Sequence, residues 1–348
     1  MNTLGPLIID LKGTAITPHE KEMLSHPLVG GVILFTRNFE SIEQLHALVE
    51  ELRALRNPSL LITVDHEGGR VQRFRKSFTE LPPLKLFGDL YEESPQRACE
   101  LAQQTGWLMA TELKVMGIDL SYAPVLDIDR KLNTVIGDRS FHENPAIIIT
   151  LAKAFIKGMR EGGMLAVGKH FPGHGGVSED SHVAIPQDIR SQATLREEDL
   201  MIFKTLIKDH QLGAIMPAHV CYTQWDEMPP TFSSYWLKTI LREELGFSGL
   251  IISDDLSMEG ASMVGDYCER AERAHTAGCD MMLLCNHPEA VEKVLGGWRK
   301  AIPDLSAILE TFKQKPSLST SSLGMLQKES LWKETVEALQ CLELSGEH

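Results

Sequence analysis

The stretch LLITVDHEGGR, residues 60–70, runs from five residues suited to a buried strand straight into two acids, a histidine and a glycine pair. An apolar run that ends abruptly in charge is what a strand looks like when its tip opens on a site. The same pattern recurs at Leu7–Leu11, Gly31–Phe35, Asp119–Ala123, Leu165–Gly168, Ala214–Pro217, Leu250–Ser253 and Met281–Cys285. With Leu60–Val64 these make eight runs. Between and after them lie amphipathic segments that predict helices at His19–Ser25, Ser41–Leu55, Ser94–Met116, Pro145–Glu161, Leu195–Lys208, Ser234–Leu245, Tyr267–Ala277 and Pro288–Trp298. Strand and helix in alternation predict an α/β fold with a parallel sheet. Ser94-Pro95 has the order of an N-cap and a first helical proline, and Gly117, Gly246 and Gly278 fall where left-handed C-caps belong.

Eight strand–helix units predict a (β/α)8 TIM barrel over residues 1–300, the catalytic domain. Residues 301–348 are expected to form a C-terminal helical extension packed on the barrel, with a terminal helix at Lys328–Leu344. A doubly wound open sheet is the alternative, but no GxGxxG follows the first run, and polar residues follow many runs instead of one switch point. Thirty-four basic against 48 acidic residues give a net charge of −14 with no basic block, which disfavours nucleic acid as a partner. The N-terminus MNTLGPLIIDLKG has no basic leader and its apolar stretch is short, so a cytoplasmic protein without a membrane anchor is expected. Six cysteines without CxxC spacing fit reduced thiols better than a disulfide framework or a zinc knuckle.

Charge gathers where the runs end. Asp65, Glu67 and Arg70 follow the third run, with Arg73 beyond; Asp127 and Asp129 follow the fourth, then Asp138 and Arg139; Lys169 and His170 close the fifth; His219 follows the sixth; Asp254-Asp255 follow the seventh. The C-terminal rim of a barrel is where active sites are built. Adjacent carboxylates on an extended chain point to opposite faces, so only one of Asp254 and Asp255 is expected to enter the mouth as a nucleophile; capping of the turn Leu256–Gly260 is the plainer alternative. In Asp180-Ser181-His182 the acid can fix the imidazole tautomer and raise its pKa, making a general acid/base, unless both are incidental loop charges. Lys169, His170 and His174 are open to three readings: sugar-hydroxyl binding, a metal site, or satisfaction of buried backbone groups. Pro172 and Gly173 argue against the helix that an HxxxH metal pair needs. His219 is ambiguous between barrel mouth and core. Arg73 and Arg139 can fork onto hydroxyls or anions, or simply pair with rim acids.

Taken together, GGVILFTRN (30–38), VDHEGGRVQRF (64–74), APVLDI (123–128), IGDRSF (136–141), GKHFPGHGGV (168–177), DSH (180–182), IMPAHV (215–220) and SDDLSMEGA (253–261) resemble glycoside hydrolase family 3. The likeness is to its single-domain bacterial β-N-acetylglucosaminidases of peptidoglycan recycling, and it covers about residues 5 to 290. It implies a retaining hydrolase that removes non-reducing terminal GlcNAc from muropeptides containing 1,6-anhydroMurNAc, with or without peptide, as a cytoplasmic monomer without cofactor or metal. It also implies that Asp254 is the nucleophile and His182 the acid/base, oriented by Asp180. Asp65, Arg73, Arg139, Lys169 and His170 carry over as substrate-binding residues. His66 stands where the family often has glutamine. Gly173, Gly175 and Gly176 suggest hinges for a mobile loop bearing His182. The competing reading is a metal-dependent barrel hydrolase using His170, His174 and His219.

Overall fold

The apolar runs pair edge to edge in the computed structural model, which describes residues 3–132, 134–177, 186–314 and 322–345. The frame is eight parallel strands: β1 (Leu7–Asp10), β2 (Val29–Leu34), β3 (Leu61–Val64), β4 (Leu120–Ser121), β5 (Ala166–Phe171), β6 (Leu212–Pro217), β7 (Leu250–Ile251) and β8 (Met282–Leu284). They fall into a five-stranded sheet, β8-β1-β2-β3-β4, and a three-stranded sheet, β7-β6-β5. Every residue of β2 and β5 is buried, as expected for strands covered on both faces.

The expected single eight-stranded ladder is therefore interrupted, and the reason is local. Strands β4 and β7 are two residues long, and Pro124, which has no N–H, follows β4. The sheets still touch at both seams. Val125 bridges Lys169, with the Val167 N–H donating to the Ala123 carbonyl (2.8 Å) and the Leu126 N–H to the Lys169 carbonyl (2.7 Å). Ile252 bridges Met281, and the Ser253 N–H donates to the Met281 carbonyl (2.9 Å).

Most helices lie where the amphipathic pattern puts them; Pro145–Glu161 and Tyr267–Ala277 agree to the residue. Gly117 takes φ +79° past the helix Pro95–Val115, the left-handed C-cap its position predicts, whereas Ser94 makes no side-chain cap bond. Two expectations need correction. Leu195–Lys208 is two helices, Gln192–Glu197 and Asp199–Lys208, because the buried Asp199 turns inward to accept from Arg130 (2.9 Å) and Arg190 (2.7 Å). The segment Tyr235–Glu244 is a wide helix, its last turn closed by the Leu245 N–H reaching the Ile240 carbonyl. A helix at Lys85–Glu93, between prolines and charges, was not legible in the sequence.

The terminal helix spans Ser330–Ser345. Trp332 donates its indole N–H to Glu112 (2.8 Å) on the helix Pro95–Val115, and Lys114 of that helix donates to the Phe312 carbonyl (3.0 Å). Leu309, Phe312, Leu326 and Leu339 join the hydrophobic cluster that contains the strands. No helix among the described residues is long and apolar enough to cross a membrane.

Candidate active site

Strand β3 delivers Asp65 at its tip, and an antiparallel hairpin, His66–Gly68 with Val71–Gln72, follows. Alternation then separates the side chains by face. His66 turns into the Phe74 and Phe78 rings (centroids 5.9 Å from each), where burial, helped by Arg75 and Arg73, pushes its pKa down to about 3. It is a neutral packing residue. Glu67 points the other way, into the site. The turn beyond it needs glycine: Gly68 has φ +111°, and a Cβ there would lie 2.5 Å from the Pro82 carbonyl oxygen.

A cavity of about 780 Å³ opens at the C-terminal strand ends. Asp65, Arg73, Arg139, Lys169, His170 and Asp254 all line it. Most of these charges are already paired. Lys169 Nζ, almost fully buried, donates to Asp65 Oδ1 (3.0 Å) and to Glu67 Oε1. Arg139 forks onto Glu67 with two N–H···O bonds of 2.8 Å, and Arg73 reaches Asp65 at 3.4 Å. Burial opposes the charge on Glu67, but Arg139 and Lys169 outweigh it and hold its carboxyl well below the usual range. The Arg73 guanidinium also lies over the Phe35 ring, 5.4 Å from its centroid.

His170 is fixed from behind. Its Nδ1 meets Asp127 Oδ2 at 2.7 Å, and Asp127 Oδ1 accepts the backbone N–H groups of His174 (2.6 Å) and His170 (3.2 Å). Asp127 is fully buried; desolvation disfavours its charge, yet His170 and His174 keep its pKa below the ordinary aspartate value. A neutral His170 that donates Nδ1–H to this carboxylate presents Nε2 as an acceptor.

The adjacent carboxylates after β7 divide their work. Asp255 accepts from the Ser257 N–H (2.9 Å), the Ser257 hydroxyl (2.7 Å) and the Cys285 N–H (3.1 Å), tying down the turn; burial raises its pKa to about 6. Both carboxylates line the cavity, so the expectation that only one would enter the mouth needs correction; Asp254 differs in making a single backbone bond, from the Asp255 N–H at 2.8 Å. Burial penalises its charge, but His219, His170 and Lys169 more than offset this, so it stays below the usual range and ionised. His219 lies outside the cavity lining, fully buried and stacked on Phe232; its Nε2 donates to the Asp255 carbonyl (3.1 Å). It thus supports the backbone carrying Asp254. Among the described residues no group of three His, Cys, Asp or Glu side chains is arranged to hold a metal ion.

Asp180 and His182 lie outside the described residues. The glycines expected to be hinges are packed. Added Cβ atoms would fall 2.4 Å from Asp199 Oδ1 at Gly173, 1.9 Å from the Ile128 carbonyl oxygen at Gly175 and 2.3 Å from an Arg190 nitrogen at Gly176. Close approach is reason enough for glycine at these positions.

A model described as "Glycosyl hydrolase family 3 N terminal domain" matches residues 7–311. The chain belongs to glycosyl hydrolase family 3. Curated relatives include a Beta-hexosaminidase of Thioalkalivibrio sulfidiphilus, 55% identical over 84% of each chain, and one of Methylobacillus flagellatus, 53% identical over the same shares. Among solved structures, NagZ from Neisseria gonorrhoeae in complex with N-trifluoroacetyl-D-glucosamine superposes with TM-score 0.91 at 42% identity, covering 98% of both chains. A second NagZ structure from that organism holds a zinc ion (TM-score 0.89, 42% identity, 98% of both chains).

In this family 3 hydrolase the structure gathers Asp65, Arg73, Arg139, Lys169, His170 and Asp254 from four strand ends into one cavity. Sequence reasoning gave no role to Glu67 and Asp127, which hold three of those six. Glu67 had one available signal: it lies two residues after Asp65 and so shares its face. Asp127 had none, because its partner is 43 residues away.

Proposed function

We propose that this family 3 enzyme is a retaining exo-β-N-acetylglucosaminidase on a (β/α)8 barrel, residues 1–300, with residues 301–348 as a packed helical extension. The observation that carries the reading is an ionised carboxylate, Asp254, held by one backbone N–H and facing a cavity walled by buried cations and a fixed imidazole. Its volume suits a small carbohydrate. The relatives named Beta-hexosaminidase and the amino-sugar analogue bound by the Neisseria NagZ support the 2-acetamido sugar.

In this reading Arg73, Arg139, Lys169 and Asp65 grip the sugar hydroxyls while His170 Nε2 accepts from one of them. A carboxylate oxygen of Asp254 attacks the anomeric carbon as the glycosidic C–O bond breaks, and His182, oriented by Asp180, gives its proton to the leaving oxygen. Neutral His182 then takes a proton from water, whose oxygen displaces Asp254 from the anomeric carbon and leaves the configuration retained. The substrate is GlcNAc linked to 1,6-anhydroMurNAc, with or without peptide, and the setting is cytoplasmic cell-wall recycling by a monomer.

Turnover of a chromogenic β-GlcNAc glycoside and its β-glucoside counterpart, each with and without chelator, tests the reading. Hydrolysis of the GlcNAc glycoside that persists after chelation is expected. Failure on both glycosides would falsify the function, and activity lost on chelation and restored by metal would favour the metal-dependent alternative.

A further inference from the structure

We propose that Glu67 is a positioning residue for the sugar site: it holds Arg139 and Lys169 together, buried and aimed into the cavity, without itself taking substrate. The inference rests on the sugar-binding reading above. Its basis is geometric. Both Glu67 oxygens are engaged: Oε2 accepts Arg139 Nε–H, and Oε1 accepts Arg139 NH2 (each 2.8 Å) as well as Lys169 Nζ. The side chains of Glu67 and Lys169 are each 2% exposed and that of Arg139 is 12% exposed.

Two cations this deep cannot stand side by side unaided, because each has lost most of its hydration and each repels the other. A carboxylate between them offsets both effects. It does so without exhausting their donors. Arg139 spends Nε–H and one N–H of NH2 on Glu67 and one N–H of NH1 on the Val135 carbonyl (3.0 Å), which leaves an N–H on each terminal nitrogen. Lys169, which also donates to Asp65, keeps its remaining N–H. Those spare protons are what a sugar hydroxyl would meet.

The carboxylate is itself aimed by the chain. It stands on the hairpin strand His66–Gly68, with His66 anchored among Phe74 and Phe78 on the opposite face and Gly68 forcing the turn. Glu67 is thus fixed by packing, and through it Arg139, which comes from a separate loop 72 residues away, is fixed as well.

The test compares wild type, Glu67→Gln and Glu67→Asp in steady-state hydrolysis of the chromogenic β-GlcNAc glycoside across pH, with melting temperatures alongside. For Glu67→Gln we expect KM to rise about 10- to 100-fold, the scale of a lost charge-assisted bond, with kcat changed less. The acid limb of kcat/KM should also move to lower pH, because losing an anion beside Lys169 makes Asp254 easier to ionise. Glu67→Asp keeps the charge but shortens the reach, so KM should rise less and the limb should stay in place. A wild-type KM in Glu67→Gln, or a raised KM with an unmoved acid limb, overturns the proposal. Should Glu67→Gln not fold, Glu67→Asp decides alone: a raised KM supports the role and a wild-type KM refutes it. If wild type itself fails to hydrolyse the glycoside, the function is wrong, and calorimetric binding of N-acetylglucosamine to wild type and Glu67→Asp then tests Glu67 separately, equal affinity refuting it.

Discussion

Replacing Asp127 by asparagine probes a carboxylate whose two oxygens are both engaged behind the site. One Asp127 oxygen accepts the backbone N–H of His174 at 2.6 Å, and the other meets His170 Nδ1 at 2.7 Å. Asparagine has only one oxygen. The backbone N–H groups cannot change, so that oxygen must face them and the new NH2 must face His170. The ring can accept that donor only by moving its proton to Nε2, which turns the atom facing the sugar from acceptor to donor. Exchanging a charge-assisted bond, worth ~1.5–3 kcal/mol, for a neutral one of ~1 kcal/mol costs about 0.5–2 kcal/mol of stability. With an unfolding entropy of ~2.1 cal/mol/K per residue, the 348 residues lower Tm by only about 0.7–3 °C for that loss. Activity should suffer more. A buried donor facing a donor costs ~1–3 kcal/mol, or about 5- to 150-fold in kcat/KM. Calorimetric melting, turnover of the β-GlcNAc glycoside and the ¹⁵N shifts of the His170 ring together check the chain of reasoning. A variant that turns over at the wild-type rate and keeps its proton on Nδ1 would refute it.

Trp332→Ala should cost about 1–3 kcal/mol, since it strips buried Glu112 of a donor, while KM stays near wild type; urea denaturation with parallel kinetics reads both. Asp255 has a folded pKa near 6, above the unfolded aspartate value of about 3.9, so its contribution to stability is full below about pH 4 and is lost as pH rises through about 6. Wild-type Tm should therefore fall relative to Asp255→Asn across that window, and a constant difference between the two would contradict the assignment. Gly175→Ala should destabilise strongly, because its Cβ would sit 1.9 Å from the Ile128 carbonyl oxygen; an unchanged Tm would return this glycine to the hinge reading. Asp254→Asn should abolish turnover while leaving calorimetric binding of N-acetylglucosamine within about tenfold, and residual hydrolysis at wild-type rates would remove it from the chemistry.

The sequence by itself determined the eight strands, most of the helices and the rim positions at which charge would gather. Those features depend on neighbours within a few residues: hydrophobic periodicity, caps and the switch from apolar to charged at each strand end. It also separated Asp254 from Asp255 in principle, because adjacent side chains on an extended chain diverge. Both in fact line the cavity, and what tells them apart is hydrogen bonding: Ser257, two residues on, and Cys285, 30 residues on, hold Asp255, while Asp254 keeps one backbone bond. The pairing of Glu67 with Arg139 and Lys169, of Asp127 with His170, and of His219 with the Asp255 carbonyl has no local signature, since each joins segments 36 to 102 residues apart. The same holds for Asp199, whose two arginines split a helix that periodicity alone would have left whole. Local pattern fixes where a side chain sits along the chain. Only closing the strands against one another brings buried charges within reach, and because unpaired charge is costly away from water, that closure decides which of them must be partners.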